Sequence, residues 1–252
     1  MTVTKSVLEN AIVKYIGAYR ERKGCIHSWD TPLVGIASAE DRLFRKLPAV
    51  AGDHLHPKEL LAGAKSVVVV YLPFVRAEVD ADSEDRQLDS WGSYYYETNM
   101  LLEAVCSHLC TLIGTYGQRC RPMPPTLDFD RKKLMSRWSH RHVAYIAGMG
   151  TFGLNRMLIT EKGCCGRMAS VITTAKIPRT LRTNRENCAY FRTGGCRVCV
   201  KNCEAGALSE KGFDRRLCWS VLNKNDEKLA GAGKKLVCGQ CVRNTPCMFS
   251  PV

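Results

Sequence analysis

The chain has 252 residues, 45% of them apolar, with a formal net charge of +13 and fourteen cysteines. That length can bury a full core, as one large domain or as one domain with a small module. No apolar run approaches the roughly 20 residues of a membrane span, and the start MTVTKSVLENAIVKYI lacks the uninterrupted apolar core of a secretory signal. A cytoplasmic protein is therefore expected, and in a reducing compartment fourteen cysteines point to metal ligation or catalysis rather than a disulfide frame. The positive charge suits a polyanionic partner without specifying a fold.

The first periodic segment, residues 3–19, sets Val7, Leu8, Ala11, Ile12, Tyr15 and Tyr19 at helical spacing. Leu33–Ala37 and Val67–Leu72 are short β-branched runs of the kind that form buried strands, joined by a loop-rich segment. Residues 75–90 are acidic and without period, which predicts a surface loop. A long helix follows over 95–116, with Leu102, Val105, Cys106, Leu109 and Ile113 as its stripe and Gly117 as its stop. Cys106 and Cys110 lie one turn apart, a spacing that could ligate metal, although core packing is the commoner use of such cysteines.

A proline-rich loop (Pro122, Pro124, Pro125) and a basic stretch, Arg131–Arg141, lead to a short helix over His140–Ala147. Met157–Thr160 and Met168–Thr174 read as strands paired around the turn EKGCCG, where Cys164 and Cys165 take a structural role. The connection near 176–187 divides the chain into two expected units, 1–178 and 179–252.

Gly148-Met-Gly150-Thr-Phe-Gly153 matches the dinucleotide-binding pattern literally. That reading needs a strand before the motif, a helix after it and an acidic residue about 20 positions on. Here a helix precedes it and a strand follows, so the dinucleotide reading fails. The glycines still permit tight turns and close approach of the backbone to something bulky, or simply to the protein's own fold.

Eight cysteines fall in the last sixty-odd residues: Cys188, Cys196, Cys199, Cys203, Cys218, Cys238, Cys241 and Cys247. Cys196-x2-Cys199-x3-Cys203 is part of a bacterial ferredoxin run, with Thr193 where its first ligand would stand. Eight thiolates meet the requirement of two 4Fe–4S clusters. The pairs Cys196/Cys199 and Cys238/Cys241 also have zinc-like spacing, which leaves a two-site zinc protein as a competing reading.

With these pieces placed, the chain resembles the epoxyqueuosine reductase family and its corrinoid-dependent relatives, the reductive dehalogenases. Residues 147–159 are similar to that family's A-G-L-G-W/F-x-G-K-N-x-x-L-I segment through Ala147, Gly148, Gly150, Phe152, Gly153, Asn155, Leu158 and Ile159. AKSVVVVYLPF (64–74) resembles its first central strand, SYYYETNMLLEAV (93–105) its Asp-Tyr-His helix start, and FDRRLCWSVL (213–222) its Asp-x-Arg-Arg-Cys segment. The resemblance implies an α/β (α+β), nitroreductase-like corrinoid-binding domain over 1–178 and a ferredoxin-like double-cluster module over 179–252.

It further implies that Cys188, Cys196, Cys199 and Cys247 hold one cluster, and that Cys203, Cys218, Cys238 and Cys241 hold the other, nearer the corrin. Ala147, Gly148, Met149, Gly150, Thr151, Phe152, Gly153 and Asn155 would lie against base-off cobalamin. Electrons from a low-potential donor, flavodoxin or ferredoxin, would pass through the clusters to bring the corrin to Co(I) for a reductive deoxygenation or elimination. The family's catalytic aspartate is replaced: its place falls near Leu134, in KKLMSRWSHRH.

The proton donors then available are His140, the first choice, with His142 and Tyr94–Tyr96, of which Tyr94 or Tyr95 takes the family's tyrosine position. Arg141 could hold an anionic group. Seven basic residues between Lys176 and Lys201, against the single acid Glu186, could receive tRNA phosphates or an acidic electron donor. Two other roles fit the same cofactors: a reductive activator or electron-transfer partner of another corrinoid protein, and a cobalamin carrier or store.

Overall fold

The computed structural model describes residues 2–80, 87–229 and 236–252. In chain order the elements are α1 (Lys5–Lys23), β1 (Leu33–Ser38), α2 (Leu47–Ala51), α3 (Pro57–Leu60), β2 (Ser66–Pro73), α4 (Arg76–Asp80), α5 (Gln87–Thr115), β3 (Cys120–Pro122), α6 (His140–Ile146), β4 (Gly150–Phe152), β5 (Leu158–Thr160), β6 (Gly166–Thr173), α7 (Ala189–Thr193), α8 (Val198–Lys201) and α9 (Arg215–Lys228). One sheet has the order β1-β2-β6-β3 with every neighbour antiparallel, and β4 pairs with β5 separately.

The organising strand is β2, whose eight residues are all buried. Successive side chains on a strand point to opposite faces, and here both faces are covered. Val68 and Val70 pack with Leu8, Ile12 and Ile16 of α1 and with Leu101, Val105, Leu109 and Ile113 of α5. Val67 and Val69 pack on the other face with Trp138 and with Val143, Ala144 and Ile146 of α6. The mixed α/β architecture is a helical layer, a sheet and a second, less regular layer built around α6.

A third core joins the cysteine-rich segment to this body. Phe74, Tyr94, Leu154, Ile159, Cys164 and Cys165 pack there with Cys188, Cys199, Val242 and Met248. Residues on both sides of the expected boundary near 178 therefore share one buried core.

Several local expectations are corrected. Within 75–90, α4 and the start of α5 are helical, and 81–86 lie outside the described residues. The strands around EKGCCG do not pair with each other: β5 binds β4, whereas β6 binds β2 and β3. A short apolar run identifies a strand but not its partner. The proline-rich stretch begins with β3, and Cys120 there forms a disulfide with Cys110 of α5. Cys106 is a core residue.

Candidate functional site

Two cavities meet at Asn155. The smaller is lined by Leu154, Asn155, Thr245 and four cysteines, Cys188, Cys196, Cys199 and Cys247. The larger, of about 800 Å³, is lined by Cys203, Cys218, Cys238 and Cys241 together with Phe152, Asn155, Arg156 and Met157, the α6 residues Arg141 and His142, and Trp219 and Leu222 of α9. The structure thus gathers the eight C-terminal cysteines into two sets of four, one in each cavity.

Local sequence explains the placement. Asp214 caps α9 by accepting from the backbone N–H groups of Arg216 and Leu217. Arg215, Cys218, Trp219 and Leu222 then recur at i, i+3, i+4 and i+7, which is one helical face, and that face forms the cavity wall. In the connection before α7, Thr151 donates to Glu186 at 2.7 Å, and the same carboxylate oxygen accepts from the N–H of Cys188 at 2.9 Å. The turn at 239–243 is closed by the N–H groups of Val242 and Arg243 on the Gly239 carbonyl.

Asn155 ties the sets together. Its buried amide donates to the Cys241 carbonyl at 3.1 Å and to the Cys164 sulfur at 3.7 Å, while its carbonyl oxygen accepts from the N–H of Met157.

Burial pushes the Cys199 thiol up to about 11 and those of Cys238 and Cys241 up to about 12. Without metal these thiols keep their protons, so metal binding must release them. Four thiols per cavity suit the all-cysteine, four-ligand coordination of 4Fe–4S clusters. Among the described residues, no three His, Cys, Asp or Glu side chains converge closely enough to hold a single metal ion.

The large cavity lies within the usual volume range of small-molecule and cofactor sites, and its wall is rich in aromatic and apolar side chains. Phe129 packs against Trp219 at 5.5 Å between centroids, so the loop after β3 closes one side. Leu134 also lines the cavity, with φ +52 in the left-handed region. It stands where the resemblance expects an aspartate.

His140 does not line the cavity. Its Nε2–H donates to the Pro124 carbonyl at 3.0 Å and its Nδ1 accepts from Ser170 Oγ at 2.9 Å, while Trp138 Nε1 donates to the same hydroxyl at 3.0 Å. Burial lowers its pKa to about 4. Both ring nitrogens are committed to the core, which corrects the choice of His140 as proton donor on geometric grounds. His140 belongs to the buried stripe His140, Val143, Ala144 and Ala147, a signal present in the sequence.

His142, two residues on and so on the opposite face of α6, does line the cavity. Its Nδ1 pairs with Ser139 Oγ at 2.8 Å and its ring lies 4.8 Å from Phe152. Burial, then Arg141, lowers its pKa to about 4. Arg141 donates to the Arg156 carbonyl at 3.0 Å. Tyr95 lies outside the cavity wall, under the Arg167 guanidinium at 3.8 Å. Tyr94 is buried and donates to the Ser28 carbonyl.

The glycine turn is likewise reassigned in part. Phe152 and Asn155 line the large cavity, but Ala147 is core, and Gly148, Gly150 and Thr151 line a separate pocket with Tyr145, Arg182 and Arg185. A Cβ on Gly148, which has φ +73, would lie 2.8 Å from the Leu181 carbonyl oxygen, and one on Gly150 would lie 2.0 Å from that of Ile159. These two glycines are required by the protein's own backbone packing. Met149 packs toward Gly35 in the α6-side core, and Gly153 donates its N–H to the Met157 carbonyl.

No family model matches the sequence, and no curated protein matches it significantly. Solved structures do match its fold. An epoxyqueuosine reductase from Bacillus subtilis, with a catalytic loop swung out of the active site, is 20% identical over 98% of this chain, with a TM-score of 0.62. An epoxyqueuosine reductase with an epoxyqueuosine-modified tRNA-Tyr stem loop is 22% identical over 96% of the chain, with a TM-score of 0.61. A catabolic reductive dehalogenase is 16% identical over 87%, with a TM-score of 0.57. The chain spans 66% of the length of each of those two reductases and 30% of that dehalogenase. The fold is the one these enzymes share.

Proposed function

We propose that the chain is a cobalamin-dependent iron–sulfur reductase that performs a reductive deoxygenation or elimination. The observation that carries this reading is the second set of four thiols, which lines the large aromatic-walled cavity. On this reading the first set, around Cys247, holds the outer cluster, and the second, around Cys241, holds the cluster beside the corrin. Solved relatives of this fold include a reductive dehalogenase described as B12-dependent.

When bound, cobalamin would supply a metal centre able to accept electrons singly and reduce an organic substrate. This chain's residues would do the rest. Phe152, Met157 and Trp219 would flank the ring, with Asn155 fixing the edge between cavity and thiols. The Phe129–Trp219 contact would keep water from the reacting face. His142 is a titratable residue of the cavity wall suited to exchange a proton, since Ser139 fixes its Nδ1. In the absence of clusters it is neutral; the negative charge of bound clusters would raise its pKa toward the working range.

A substrate on tRNA is the leading candidate. Lys176, Arg179, Arg182 and Arg185 are exposed on the connection into the cysteine-rich segment, and Arg192 and Lys201 are exposed on α7 and α8 within it, a distribution suited to phosphate contacts. Leu134 favours a second reading: a cavity without the aspartate suits an electron-transfer partner or activator of another corrinoid protein, or a carrier. Turnover of epoxyqueuosine-containing tRNA by the reconstituted chain under a low-potential donor tests the first reading. Bound clusters and cobalamin with no turnover would select the second.

A further inference from the structure

The segment that wraps the first thiol set has an inner and an outer side. Its inner side lines the smaller cavity through Cys188, Ala189, Cys196 and Cys199. Its outer side is the run 191–195, exposed at every residue, which leads into the half-buried Cys196. Gly194 and Gly195 present only backbone there, and a Cβ on Gly194 would meet nothing within 4 Å. The surface beside Cys196 is therefore open to close approach. Arg197 braces this turn: its Nη1 donates to the Gly194 carbonyl at 2.8 Å, and its guanidinium pairs with Glu210, which also accepts from the Tyr190 hydroxyl at 3.0 Å. Between Glu186 and Glu204 the chain carries three cations, Arg192, Arg197 and Lys201, and no acid. Glu210 offsets Arg197, whereas Arg192 and Lys201 are exposed on either side of Cys196 in the chain. Phe191, next to Arg192, is 50% exposed.

We propose that the face formed by 191–201 is the docking surface for a small acidic one-electron carrier protein, which delivers electrons to the cluster of the first set. The proposal rests on the two-cluster reading above. The second set lines the large cavity, whereas the first is covered at Cys196 by exposed backbone that a protein partner can reach. One electron leaves the carrier's reduced iron–sulfur centre and enters the oxidised 4Fe–4S cluster; no bond and no proton moves. Redox encounters of this kind bury little area, so charge complementarity sets their rate. An exposed aromatic beside arginine, with acids absent, is also the composition favoured at interface centres. The basic run after β6 thus divides in two, with 176–185 on the connection and 192–201 around the thiols. RNA phosphates would be drawn to the same cations, and the test separates the two occupants.

The test mixes the full, anaerobically reconstituted chain in stopped flow with a reduced acidic plant-type ferredoxin. A parallel arm uses photoreduced 5-deazariboflavin, a small uncharged reductant, and both follow the loss of cluster absorbance at several salt concentrations. Arg192→Glu/Lys201→Glu is expected to keep the wild-type iron content and to lower the second-order rate with ferredoxin about tenfold or more at low salt. Its salt dependence should flatten, because the attraction that salt screens has been removed. The deazariboflavin rate should match wild type, and Lys176→Gln/Arg179→Gln/Arg185→Gln should leave the ferredoxin rate unchanged. An unchanged ferredoxin rate and salt slope in the charge-reversed chain overturns the proposal. Equal loss in the 176–185 variant also overturns it, since net charge rather than this face would then be responsible. Weaker binding of an RNA stem loop by Arg192→Glu/Lys201→Glu, with the ferredoxin rate retained, would assign the face to RNA instead. If the charge-reversed chain loads less iron, Arg192→Gln/Lys201→Gln carries the same test with a smaller expected loss. Wild-type clusters reduced by deazariboflavin but not by ferredoxin would overturn the proposal alone. A wild type that takes up no iron would overturn the cluster reading itself, and this proposal with it.

Discussion

The side-chain amide of Asn155 donates to the carbonyl of Cys241 at 3.1 Å, joining the turn after β4 to the cavity-side cysteine set. Asn155 lines both cavities, so it fixes the two thiol sets relative to each other. Asn155→Ala would leave that carbonyl buried without its donor, a loss of about 1–3 kcal/mol. The expected outcome is a lower melting temperature and reduced iron content, whereas Asn155→Asp, which lacks the donor but keeps the shape, should give a comparable loss. Wild-type stability and iron in Asn155→Ala would show that the bridge is incidental.

His140 and His54 predict the acid limb of stability. His54 is buried with Nδ1–H on the Leu55 carbonyl and Nε2 accepting from the Ser139 N–H. Burial lowers the pKa of each to about 4 from 6.5. Between pH 6.5 and 4 the unfolded chain binds protons that the folded chain does not, so stability is complete above 6.5 and declines as pH falls through 4. Each histidine contributes on the order of 3 kcal/mol across that window. Urea titrations from pH 7 to 4 should show a shallower decline in His140→Gln than in wild type, though from a lower starting stability. Parallel pH profiles would contradict this account.

The two α6 histidines should separate in kinetics. His142→Ala is expected to lower turnover by about 10²-fold or more, within the usual range for a general acid, with little change in melting temperature. His140→Ala should instead lower stability, with turnover per folded molecule retained. Reversed effects would return the proton-donor role to His140.

Leu134 offers a gain-of-function test. Its φ of +52 suits Asp better than a branched apolar side chain, and its position on the cavity wall would put a carboxylate beside the substrate. Leu134→Asp should fold as well as wild type and raise turnover of epoxyqueuosine-containing tRNA at least tenfold. Folded, cofactor-loaded Leu134→Asp with no such gain would favour the partner or carrier reading.

If tRNA binds along 176–201, replacing Lys176, Arg179 and Arg185 with Gln should weaken binding and flatten its salt dependence. Each phosphate no longer neutralised should reduce the log–log slope by about 0.7–0.9. An unchanged slope in filter binding or anisotropy would place the tRNA elsewhere.

Much of this was legible in residue order. The run Val67–Val70 identified the central strand because a strand covered on both faces is apolar throughout, and the α5 stripe identified its long helix. Cysteine spacing singled out the eight C-terminal thiols, and the resemblance divided them into the same two sets of four that line the two cavities. Other features were not legible, for physical reasons. The β5 and β6 runs read correctly as strands, but a buried apolar run carries no partner identity. The glycine turn matched a corrin-binding segment, yet Gly148 and Gly150 are small because the Leu181 and Ile159 carbonyls crowd them. Residue order favoured His140 over His142 as proton donor, although helical geometry alone assigns the two to opposite faces and only His142 lines the cavity. Nothing in the spacing of Cys164 indicates that its N–H donates to the Cys247 carbonyl.

The central claim is that two sets of four thiols hold two 4Fe–4S clusters, one opening into a corrin-sized cavity. Metal analysis with the visible spectrum of the anaerobically reconstituted chain tests it most directly. The account predicts about eight irons per chain, the broad absorption of 4Fe–4S clusters, stoichiometric cobalamin with a base-off spectrum, and about four irons in a Cys218→Ala/Cys241→Ala chain. Zinc in place of iron, with no visible absorption and no cobalamin bound, would contradict it.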